Sequence, residues 1–270
     1  MNRYLGYDGA LFLHVPRTGG TWVQTALCRL GIRSRSCSNR CKNKYKLRMP
    51  FKHQHIFHID PAIVTQMKFV WTNVRHPVKY YESVWKWMTH LKRQIADAQT
   101  NSQRKVHTRR FKSLLNCSQR MEEKTRFVWH PHSECAKVYD SDFNVWVERM
   151  LETQGNWVTR LYWLTTGPPG GEWCHYIGRT SSITQDLFNV LELLGKELTQ
   201  KDKDKVNQLS PRNAYDYDIE WRADLNKQML HEERHTISRW FSGTTFDKRH
   251  FGKLERYGID IILDGIWKSG

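Results

Sequence analysis

The stretch Ala10 to Trp22, ALFLHVPRTGGTW, gathers the residue types that hold an oxyanion. Ala10 to Val15 is a short apolar run of the kind that makes a buried strand, Pro16 stops it, and Gly19 and Gly20 supply the loose backbone of a tight turn. Thr21 then opens an amphipathic run in which Trp22, Val23, Ala26, Leu27 and Leu30 recur at helical spacing. Strand, glycine turn and helix in succession aim backbone N–H groups and the positive end of a helix at one point, where a phosphate or sulfate settles. Arg17 and the hydroxyls of Thr18 and Thr21 add charge-assisted bonds. By spacing alone, a tight strand-to-helix turn without a ligand fits the same residues. The Gly-Lys-Ser/Thr ending of a Walker A loop is missing, because Trp22 follows Thr21, and nucleoside triphosphate hydrolysis loses most of its weight.

A second turn of the same design lies downstream. Lys68 to Val74 reads as a strand, Arg75-His-Pro77 ends it, and proline at the first helical position begins a run of Tyr80, Tyr81, Val84, Trp85, Met88 and Leu91 on one helical face. Two strand-to-helix turns, each with a cation at the switch, are what an open parallel sheet offers to a ligand beyond its strand ends. Between them lie His53, His55 and His58. Imidazole is matched to taking a proton at neutral pH. The same histidines with Cys37 and Cys41 approach Cys2His2 zinc spacing, but FKHQHIFHIDP alternates and stops at Pro61, which reads more as a strand than as a finger helix.

These motifs resemble the sulfotransferases that use 3′-phosphoadenosine 5′-phosphosulfate (PAPS) as donor. HVPRTGGTW is similar to their 5′-phosphosulfate loop, most of all to the heparan sulfate 2-O and 6-O type, whose loops run close to H-x-P-K-T-G-G-T. Arg17 stands where the family usually has Lys, a planar fork in place of a point charge. VRHPVKYYESVW is similar to the 3′-phosphate motif, with Arg75 and Ser83 at the matching positions. Lys52-His-Gln-His-Ile56 resembles a His-x-His segment of the 2-O enzymes, which makes His55 the first choice for the catalytic base and His53 the second. VNQLSPRN resembles a late nucleotide-covering loop and points to Arg212. An Asn-x-x-Thr-Arg segment recurs in the glycan enzymes, so Asn156 and Arg160 are tentative substrate-binding linings; a helix-end pair satisfying backbone groups fits them as well.

The resemblance implies a single α/β domain over residues 1–270, with a central parallel sheet flanked by helices in a topology related to P-loop NTPases, and a polar insertion at about 92–134. It implies in-line sulfuryl transfer from PAPS to a hydroxyl, with PAP as product and no metal. Arg17, Thr18, Gly19, Gly20, Thr21, Trp22, Arg75, Ser83 and Arg212 would hold the donor, Arg17 also acting in catalysis beside His55 or His53.

Composition agrees with an anionic partner. Across 270 residues, 43 Lys and Arg against 27 Asp and Glu leave a net charge of +16. Nine basic residues and no acidic one fall between Arg29 and Lys52, and seven against Asp97 alone between Lys92 and Lys112. Solvated basic loops explain these runs as simply as a binding surface does. An anionic glycan is the favoured acceptor, with no obligatory nucleic acid. At 39% hydrophobic with twelve Trp, the chain can build a substantial core. No run of eighteen apolar residues or signal peptide is visible, so the expectation is a soluble, cytoplasmic protein, or a Golgi-lumenal one if an N-terminal anchor has been removed. The six cysteines suit free thiols or disulfides.

Further along, Asp142 to Leu151 reads as a helix, Gly167 to Gly171 as a turn, His175 to Gly178 as a last strand, and Ile183 to Leu194 as a helix stopped by Gly195. Lys196 to Tyr217 reads as irregular, and Ile219 to Phe241 as helical with alternating charges that suggest an exposed face. Three rivals remain. A basic nucleic-acid-binding protein would show tight, salt-dependent binding without PAP affinity. A nucleotide kinase would need ATP and Mg²⁺. A non-catalytic relative would bind acidic glycans without turnover.

Overall fold

A computed structural model describes residues 3–5, 9–32, 34–36, 67–108, 131–167, 173–210 and 215–242. The strands are β1 (Arg3–Leu5), β2 (Ala10–Leu13), β3 (Ser34–Ser36), β4 (Phe69–Val74) and β5 (Tyr176–Arg179). They form one sheet in the order β3-β1-β2-β4-β5. The helices are α1 (Gly20–Arg29), α2 (Pro77–Ala96), α3 (Pro131–Lys137), α4 (Phe143–Thr153), α5 (Trp157–Thr166), α6 (Ile183–Leu193), α7 (Gln200–Asn207), α8 (Ala223–Glu232) and α9 (Arg234–Trp240). The chain is therefore α/β.

The sheet is not wholly parallel. β2, β4 and β5 pair in parallel, whereas β1 runs antiparallel to both β2 and β3. β3 thus points the same way as β2, and the chain leaving β2 passes through α1 to the far side of β1. The chain leaving β4 passes through α2 to α5 and arrives at β5 on the opposite side. Crossovers share one preferred hand, so two that travel in opposite directions lay their helices on opposite faces. Accordingly, Ala10, Phe12 and Trp71 pack against α1, α6 and α7 through Val23, Leu27, Leu187 and Val206. Val15 and Val74 pack against α2, α4, α5, α8 and α9 through Tyr80, Trp146, Trp157, Met229 and Trp240. β2 and β4 are neighbours whose following helices part to opposite faces, the arrangement at which an open α/β sheet forms a ligand crevice beyond its C-terminal strand ends.

Local signals set most boundaries. Leu30 caps α1 and Gly31 follows at φ 69°, a left-handed position that glycine occupies without a Cβ clash. Pro77 stands at the start of α2. The Asp142 carboxylate caps α4 by accepting from the N–H groups of Asn144 at 2.8 Å and Val145 at 3.1 Å. Gly167 ends α5, and Gly195 follows Leu194 at the end of α6 at φ 72°.

Other stretches add to or differ from what the sequence suggests. β1 and β3 are three-residue strands with too few side chains to show a period, and β3 lies where the sequence reads as an aperiodic connection. α2 runs on to Ala96 and 101–108 is also helical, within the stretch of about 92–134 that reads as a polar insertion with some helix. α7 lies in the stretch read as irregular; it buries Val206 alone and is capped by the Thr199 hydroxyl. The 219–241 stretch is not an outer face: Leu225, Met229, Glu233, Thr236 and Trp240 are all buried. Their spacing of three and four is a helical stripe, hidden in the sequence because an acid occupies its centre.

Among the described residues no helix is long and apolar enough to cross a membrane. Cys28, Cys135 and Cys174 are free thiols. The stretch 61–66, whose sequence suits a short helix before β4, together with Cys37, Cys41, His53, His55, His58, Arg212 and residues 246–270, lies outside the described residues.

Candidate functional site

The loop after β2 is held in an unfavourable shape by its neighbours. Arg17 has φ 63°, which for a residue with a Cβ costs about 1–2 kcal/mol. Gly19 follows at φ 86°, and a Cβ there would run into Ile183 of α6. A Cβ on Gly20 would run into the ring of His14, so both glycines are required by close packing. The Thr18 hydroxyl turns inward and donates to Val15 O at 3.0 Å, closing the loop on itself. Thr18 is fully buried, so it shapes the loop from within rather than lining its open side. The first bond of α1 runs from Val23 N–H to Gly19 O at 3.1 Å. The N–H groups of Gly20, Thr21 and Trp22 have no backbone acceptor among the described residues, as expected at a helix start.

Two of the sequence-derived anchors meet here. Arg17 Nε donates to Ser83 Oγ at 3.0 Å, across 66 residues of chain. Its guanidinium also lies over the Tyr215 ring, 5.5 Å from the centroid, and Tyr215 in turn stacks on His90 at 4.4 Å. Burial lowers the Arg17 pKa, Tyr215 opposes that, and the charge of Arg75 lowers it further. Arg75 is itself lowered by burial, with Tyr162, Tyr80 and Glu82 acting against it. A guanidinium keeps its proton in either case, so the crevice contains two partly desolvated, permanent cations.

Arg75 is held by its backbone. The Tyr162 hydroxyl accepts from Arg75 N–H at 2.8 Å and donates to Arg75 O at 2.7 Å. Beside it, Tyr80 is fully buried, with its ring edge-on to Tyr162 at 5.9 Å. Among the described residues its hydroxyl has no hydrogen-bond partner. At the end of β5, Arg179 lies over Phe241 at 5.7 Å, and the Thr180 hydroxyl donates to Val74 O at 3.1 Å. His76 meets the edge of Phe241 at 5.1 Å, and burial lowers its pKa, as does Lys79. Beyond the three parallel strands, Arg17 thus follows β2 by four residues, Arg75 follows β4 directly and Arg179 closes β5.

The remaining anticipated residues fall elsewhere. Trp22 is a core residue whose Nε1 donates to Leu209 O at 3.4 Å, holding the segment that leads towards Arg212. Asn156 is exposed at φ 58°, at the start of α5, with no capping bond from its side chain. Arg160 donates to Gln154 Oε1 at 2.9 Å and is lowered by burial, with Glu233, Tyr81 and Glu134 opposing. Among the described residues neither bonds to Arg17, Arg75 or Ser83. Sequence reasoning missed Tyr80, Tyr162 and Tyr215 as site residues. The one available signal was tyrosine, rather than phenylalanine, in buried stripes, since a buried phenol needs a partner.

No group of three or more His, Cys, Asp or Glu suited to a metal ion occurs among the described residues. Comparison with family models, with curated proteins and with solved structures finds no match.

Proposed function

We propose that the chain is a PAPS-dependent O-sulfotransferase whose acceptor is a hydroxyl, favoured to be that of an anionic carbohydrate. The observation that carries this reading is the bond from Arg17 Nε to Ser83 Oγ. Two residues 66 apart in the chain, one from each of the motifs that resemble phosphate anchors, meet at the crevice between β2 and β4. The donor-rich chemistry there fits the group: two half-buried guanidiniums, N–H groups without a backbone acceptor at the start of α1, and a glycine turn with no acidic side chain in it.

On this reading, Arg17 and the N–H groups of Gly20 and Thr21 hold the 5′-phosphosulfate, while Arg75 and Ser83 hold the 3′-phosphate. Trp22 supports the loop from the core, and Arg212 closes over the nucleotide. The acceptor oxygen forms its bond to sulfur as the bond from sulfur to the leaving phosphate oxygen breaks, and its proton passes to His55, or to His53. Cations already in place around the leaving phosphate lower the barrier without reorganising. Asn156 and Arg160 are the candidate acceptor contacts.

Isothermal titration with PAP, with ATP as control and Arg75→Ala as variant, tests the donor site. Micromolar binding that Arg75→Ala loses and ATP does not reproduce supports it. A folded protein without PAP affinity overturns it, and salt-dependent binding to nucleic acid would then account for the +16 charge.

A further inference from the structure

We infer that Tyr80 is a ligand-binding residue of this crevice, its phenol donating a hydrogen bond to an oxyanion of the bound phosphoryl or sulfuryl group. The inference rests on the donor-site reading and adds to it a contact that the motifs do not contain. Tyr80 lies on the first turn of α2, between the two anchors Arg75 and Ser83, with its ring packed edge-on against Trp157 at 5.4 Å and Tyr162 at 5.9 Å. That packing fixes the hydroxyl. Its oxygen lies in the field of both Arg17 and Arg75, and each arginine in turn feels the phenol.

Among the described residues no acceptor reaches this hydroxyl. Arg17 and Arg75 are donors only. The neighbouring Tyr162 hydroxyl is occupied by the N–H and the carbonyl of Arg75. A buried hydroxyl without a partner is costly, and one within the field of two cations is completed best by an anion. A phenylalanine would fill the same volume at no such cost. The oxygen of Tyr80 is therefore the part of the residue that packing does not require.

Tyr80→Phe tests this by affinity and stability together, with Tyr81→Phe as the neighbouring control. Tyr81 donates to Glu233 at 3.4 Å, so its loss should lower the melting temperature and leave anion affinity unchanged. Tyr80→Phe should do the reverse: an unchanged or raised melting temperature, and PAP affinity weakened about tenfold to a hundredfold, as for a hydrogen bond to a charged group. Inorganic pyrophosphate is titrated in parallel. Equal PAP affinity in wild type and Tyr80→Phe overturns the inference and leaves the donor site standing. A lowered melting temperature also overturns it, because the hydroxyl then has a partner, such as a buried water, in the free protein. If wild type binds pyrophosphate but not PAP, and Tyr80→Phe weakens pyrophosphate binding, the donor reading fails and the inference holds. Binding of neither ligand overturns both.

Discussion

Glu233 caps a helix that begins more than seventy residues before it. Its fully buried carboxylate accepts from Val158 N–H at 2.9 Å, from Thr159 N–H at 2.7 Å and from the Thr159 hydroxyl at 2.7 Å. Asn156, at the position where a side-chain cap is usual, makes no such bond. The junction of α8 and α9 thus supplies what the start of α5 lacks, and α5 carries the tyrosine that holds Arg75.

Stability should therefore depend on pH through Glu233. Burial raises its pKa above the ordinary 4.5, while bonds from Thr159, Val158 and Tyr81 pull it down. The folded state keeps this proton to a higher pH than the unfolded state does. The stabilisation is fully present below about 4.5 and is lost as pH rises through the raised value. Glu233→Gln should abolish that slope in denaturation midpoints measured from pH 4 to 8. Glu233→Ala should lower stability by about 1–3 kcal/mol for each group left unpaired. An unchanged pH profile in Glu233→Gln would refute the assignment.

Tyr162→Phe should weaken the second turn of the site without touching a charge. It removes the acceptor for Arg75 N–H and the donor to Arg75 O. A loss of about 1–3 kcal/mol in stability is expected, with weaker PAP binding beside it. The two losses should appear together in thermal unfolding and titration; an unaltered PAP affinity would detach Tyr162 from the site.

Arg17→Ala should reduce turnover by orders of magnitude with the circular dichroism spectrum intact, because the cation held against Ser83 and Tyr215 is gone. Near-normal turnover would remove Arg17 from catalysis. Arg17→Lys keeps the charge but loses the Nε donor, so it separates point charge from fork geometry.

Gly20→Ala sets helix propensity against packing. In an exposed helix, alanine gains about 1 kcal/mol over glycine. Here the new Cβ meets the His14 ring, and overpacking of that kind costs about 1–3 kcal/mol, so the variant should be less stable. Adding His14→Ala should recover part of the loss in a double-mutant cycle. Strict additivity would mean the two residues do not touch.

Much of this was legible in the chain itself. The α/β class, the strands at Ala10 and Phe69, the proline start of α2, the Asp142 cap and the glycine stops all follow from local signals that need no tertiary knowledge. Arg17 and Arg75 came forward as candidates in the same way, as cations at strand-to-helix turns, whereas Ser83 came forward only through the resemblance to the sulfotransferase 3′-phosphate motif. The rest depends on partners distant in sequence. HEERH reads as a solvated charged stretch, and nothing local shows that Glu233 is the one acid turned inward. Thr18 reads as a ligand hydroxyl until the carbonyl of Val15 is seen to take its proton. β1 and β3 are too short to carry a pattern, and a buried tyrosine stripe does not say which hydroxyl lacks a partner.

The left-handed backbone at Arg17 makes position 17 a point where heat resistance and chemistry select in opposite directions. A library screened only for survival at high temperature should accumulate glycine or asparagine there, relaxing the backbone and discarding the cation. Protein engineers who stabilise this fold would need position 17 frozen before the screen begins.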